Sequence, residues 1–161
     1  MNLLKRVSAI LISGVLAASM LTACSEEDDK KEENSSVVIT QEMLNEASSN
    51  AKAVYTAANN YGQKCLSAGY PIPGGDYEIT IKKSDEEGVP APWSEEDIDI
   101  ELALSVYCGE NLSGTKCKVR INDKGFPSAV IWYEDDDTSV IGGYPEEATE
   151  PGWTLDKACV Q

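Results

Sequence analysis

SEEDIDIELALSVYCG, residues 94–109, is the stretch on which the fold turns. Ile98, Ile100, Leu102, Leu104 and Val106 alternate in strict period two, the pattern of a half-buried strand. Other signals argue the opposite. Ser94 is a suitable N-cap, three acidic residues follow it, Gly109 stands where a C-cap would, and Glu, Leu and Ala favour helix. The composition and capping signals are taken over the periodicity, so this stretch is expected to be a short helix.

Upstream, Thr40 can cap a helix that carries Glu42 in its first turn, where the helix dipole favours a negative charge. Leu44, Ala47, Ala51, Val54, Ala58, Tyr61 and Cys65 then recur at spacings of three and four, one stripe down a long helix. Alanine buries too little area to drive a coiled coil, so the stripe is expected to dock on a sheet. Gly69 and Pro71 end it. Asp76 to Lys83 alternates as a strand, with Tyr77, Ile79 and Ile81 on one side. Downstream, Cys117, Val119 and Ile121 begin an antiparallel meander that turns at NDKG, continues through Ala129–Tyr133, turns again at DDDT and ends with Val140–Tyr144. Trp153 and Leu155 in the tail are expected to fold back on the sheet. The fold class is α+β: a long N-terminal helix packed on a small antiparallel sheet, with a short second helix.

Residues 1–23 read as an export signal. Lys5 and Arg6 form a positive start, and Val7 to Leu21 is uncharged and mostly apolar. As a helix that run rises only about 22 Å, short of the ~30 Å core of a bilayer, which fits a cleaved signal. Leu21-Thr22-Ala23-Cys24 resembles the lipobox of bacterial lipoproteins. The resemblance implies that Cys24 receives a diacylglyceryl thioether and becomes the first mature residue, anchoring the chain to the extracytoplasmic face of the cell membrane. Residues 24–36 then form the lipidated cysteine and an acidic tether: eight of the twelve residues from Ser25 to Ser36 are charged, and none is aromatic. Residues 37–161 are the globular domain.

Cleavage removes two of the 13 basic residues and none of the 28 acidic ones, so the net charge moves from −15 to −17. Such a surface repels nucleic acid and anionic headgroups and leaves a protein partner at the cell surface as the compatible class. With Cys24 lipidated, Cys65, Cys108, Cys117 and Cys159 remain, an even count that favours two disulfides, with three possible pairings that spacing does not separate. Cys108 with Cys117 would close a short loop; Cys65 with Cys159 would tie the helix to the tail. Dispersed cysteines without histidine do not suggest a metal site.

Three segments in order, NAKAVYTAANNYGQKC (50–65), GFPSAVIW (125–132) and VIGGYP (140–145), resemble the head domains of clostridial type IV pilin-like proteins. The resemblance covers roughly residues 45–145. It implies a helix packed on a small antiparallel sheet, a short second helix ahead of the strands, and a Gly-x-Tyr-Pro edge. Trp132 and Tyr144 read as core aromatics. The chain departs from pilins at its start, where the apolar segment contains no acidic residue and ends in a lipobox. It therefore reads as a pilin-like head on a lipid anchor.

With no histidine, triads and histidine-based metal sites are excluded. Glu95–Asp97 and Glu134–Asp137 are close enough in sequence to act as acid/base pairs, but a helix start and a hairpin turn explain them. Asp135, Asp137, Ser139 and Glu146 match part of a calcium-loop pattern, but Val140 stands where that pattern has glycine. No enzyme activity, cofactor or metal is expected. The reading is a non-enzymatic interaction or adhesion module, an accessory of a pilus or secretion system; the alternative is a lipoprotein that captures a small molecule or glycan. A chain this short is expected to offer only a shallow surface to such a ligand. Exposure of Trp93, Trp132 and Trp153 would separate the two, since sugar binders present aromatic faces.

Overall fold

The computed structural model describes residues 38–160; the leader, Cys24 and the tether lie outside the described residues. Helix α1 spans Gln41–Ser67, and Thr40 caps it by accepting a hydrogen bond from the Met43 N–H at 3.3 Å. Every stripe residue named from the sequence is at most 3 % exposed. The helix stops where Gly69 takes φ +89° and the Tyr70 N–H returns to the Cys65 carbonyl.

Strand β1 (Gly75–Thr80) follows, then a loop, a single 3-10 turn (Glu95–Asp97) and helix α2 (Ile100–Leu112). The ambiguous stretch is therefore helical. Its start and end differ from expectation, however. Asp99, not Ser94, caps α2 by accepting from the Leu102 N–H at 2.8 Å. Gly109 does not end the helix but lies inside it, because a Cβ there would sit 2.4 Å from the Lys82 carbonyl oxygen. The glycine serves close packing rather than termination. One strand also precedes α2, so the second helix does not come ahead of all the strands.

Strands β2 (Lys116–Ile121), β3 (Pro127–Tyr133) and β4 (Ile141–Tyr144) complete an antiparallel sheet in the order β1-β2-β3-β4. Asn122 holds the β2–β3 turn by accepting from the Lys124 and Phe126 N–H groups, with Gly125 at φ +81°. One sheet face, with Ile79, Cys117, Val119, Ile121, Val130 and Trp132, packs in one core with α1 and α2. The other carries Ala129, Ile131 and Tyr133, covered by the tail, which forms a final turn of helix α3 (Leu155–Ala158). At the β4 edge α1 comes very close: a Cβ on Gly142 would lie 2.0 Å from the Ala47 carbonyl. Ser48, 2 % exposed, locks this contact by accepting from the N–H groups of Gly143 and Ala148.

Candidate functional site

Beside this close contact the structure opens a groove of ≈ 770 Å³, within the range of about 300–1,000 Å³ typical of small-ligand sites. Ile39, Met43 and Ala47 at the start of α1 form one apolar wall, and Leu112 at the end of α2 another. Trp132 lies between them, 9 % exposed, its Nε1 donating to the Thr115 hydroxyl at 2.9 Å. That bond fixes the ring as packing. Asn50 and Asn111 contribute amides, and Glu46, Glu134 and Asp137 contribute carboxylates. Among the described residues no lysine or arginine lines the groove, and none of the three carboxylates is in an ion pair. The surface expected to be shallow carries this open groove.

Two of the three carboxylates, Glu134 and Asp137, come from the β3–β4 turn, which its own side chains hold. Asp135 accepts from the Asp137 N–H at 3.1 Å, Thr138 accepts from the Val140 N–H at 3.2 Å, and Asp136 pairs with Lys116. Asp137 and Glu134 are left at the groove. The partial calcium pattern does not assemble. Asp135 is engaged within the turn, Glu146 lies beyond β4 with its N–H on the Ala158 carbonyl, and no group of three metal-ligating residues exists among the described residues.

The other acid pair has a different task. Asp97 accepts from the Trp93 N–H at 3.1 Å and the Ser94 hydroxyl at 3.0 Å, clasping the loop. Val89 and Pro92 are buried beneath it, the Lys64 ammonium donates to the Val89 carbonyl, and the Tyr61 hydroxyl accepts from the Asp99 N–H at 2.9 Å. Trp93 projects from this pinned loop with 88 % of its surface exposed. Trp132 is packed and Trp153 half-buried, so one tryptophan of the three is presented to solvent.

The four cysteines of the domain are unpaired, so the structure gives no support to the expected pair of disulfides in any of its three pairings. Cys65 lies in the core between α1 and the sheet, whereas Cys159 packs against the cluster on the opposite sheet face, so the sheet separates them. Cys108 and Cys117 share the inner core without being joined. Burial pushes their thiols up to about 11 and about 12, the reverse of what activates a nucleophile.

Little in the sequence marks the groove, because its walls come from α1, the end of α2 and the β3–β4 turn. Its one local signal was the acid-rich turn, whose charges read equally well as solvation. Comparison with protein-family models, curated proteins and solved structures finds no match to this chain.

Proposed function

We propose that this chain is a lipid-anchored interaction module, a pilin-like head held to the extracytoplasmic face of the membrane through Cys24 and its acidic tether. By the tryptophan criterion the packed Trp132 and half-buried Trp153 favour this reading, while the exposed Trp93 fits the glycan alternative equally well. The observation on which the protein-partner reading rests is Trp93 as an interface anchor. Asp97, Lys64 and Tyr61 hold the backbone of its loop and its neighbours, and the indole stands exposed to water. Tryptophan is among the residues that dominate binding energy at protein interfaces, where one end of the indole is apolar and the other wet. The raised thiols and the absence of histidine favour binding over catalysis. A second reading, capture of a small molecule, draws on the volume of the groove.

The test is to shear cells, separate filaments from membranes and blot both fractions for the wild type and for Cys24→Ala. Recovery in membranes that Cys24→Ala abolishes is the expected result. Recovery in sheared filaments regardless of Cys24 would overturn the anchor. Chemical cross-linking on intact cells should give a high-mass adduct that Trp93→Ala reduces; an adduct indifferent to Trp93 would remove it from the interface.

A further inference from the structure

We propose that the groove takes a short extended peptide segment of a partner protein, bearing lysine or arginine beside an aliphatic side chain. This deepens the interaction-module reading and rests on it. The sign of the site comes first: Glu46, Glu134 and Asp137 line it, and no described lysine or arginine does. Carboxylates at the mouth of a groove attract and orient a basic partner. Beneath the rim the surface is apolar, and Met43, an adaptable thioether side chain, suits variable aliphatic groups. Asn50 and Asn111 each offer an amide donor and acceptor, the complement of a peptide bond.

Charge also rules out the nearest occupants. The chain's own tether, residues 25–36, carries six acidic residues and two lysines, the same sign as the rim. A second copy, cleaved as the lipobox implies, brings a net charge of −17. The occupant is therefore a basic segment of a different protein.

The probe is a fluorescein-labelled peptide, Gly-Lys-Leu-Lys-Gly-Ser, titrated by anisotropy against the detergent-solubilised full-length protein. Its counterpart with glutamate for lysine is the control. The Glu46→Gln/Asp137→Asn pair should bind it roughly tenfold more weakly. Glu95→Gln/Glu96→Gln removes equal charge far from the groove and should change binding less than about twofold. Both double variants alter exposed side chains, and circular dichroism verifies their folding. Equal weakening by the two pairs would reduce the effect to general charge attraction and overturn the proposal. So would absent binding, or equal binding of the glutamate peptide. Displacement by spermidine at matching concentration would assign the groove to small cations instead of a peptide. None of these outcomes touches the fractionation result, so failure here is distinguishable from failure of the anchored-module reading.

Discussion

At Ser48 a single hydroxyl joins α1, β4 and the segment after β4. It accepts two backbone N–H groups, from Gly143 at 3.2 Å and Ala148 at 3.0 Å, in a site with almost no solvent. Ser48→Ala should destabilise the domain by about 1–3 kcal/mol, the cost of leaving buried donors without a partner, as read by urea unfolding. Serine beside an alanine stripe gives no sequence signal of this, because a hydroxyl on a helix is normally solvated. Arg120 acts on the outer sheet face, holding Asp76 with two bonds, at 2.8 and 2.9 Å, and Asp156 with a third. The Arg120 hydrogen bond lowers the Asp76 pKa from its ordinary 3.8. A lowered carboxyl pKa stabilises the fold above the unfolded value, and that contribution drains away as pH falls through the folded one. Thermal melts should therefore show an acid limb below about pH 4 that Arg120→Ala flattens. The pair is largely exposed, so the effect is small.

α2 shows at the level of an element how two periodicities can coexist. Ile100, Ala103, Leu104, Cys108 and Leu112 are buried at helical spacing, while Leu102 and Val106 sit half-buried on the flank of the same helix. The period-two run in the sequence is that core stripe and its flank seen together. The helix was legible from its composition; its limits were not, because they depend on contacts with other parts of the chain. Asp99→Ala should cost about 1 kcal/mol, the worth of a working N-cap, whereas Ser94→Ala should cost less, since Ser94 makes no cap to the helix. Chemical denaturation of the two variants side by side measures the difference. α1 was legible in full because its cap, stripe and stop are all local. α3 escaped notice because four residues make no periodic pattern.

Over the whole molecule, the sheet is covered on both faces, by α1 on one and by the tail on the other. A chain ending at Gly152 would uncover Ile131 and Tyr133, each 6 % exposed in the intact domain. It should bind a hydrophobic dye and self-associate, as sedimentation would report, because an exposed apolar patch seeks another surface. The return of the tail was readable from Trp153 and Leu155, but the groove was not. Its walls meet only after the chain has folded, and no stretch of sequence contains more than one of them.

One consequence of the long helix is mechanical. The loop bearing Trp93 is fastened to α1 at Tyr61 and Lys64, about 30 Å of helix from Gln41, where α1 begins. Under the proposed anchorage and a partner at Trp93, tension would act along the helix axis. With the loop fastened to α1 itself, such a load would run down the helix between Gln41 and Lys64, so the same 27-residue helix that covers the sheet would also be the strut between the two points of pull.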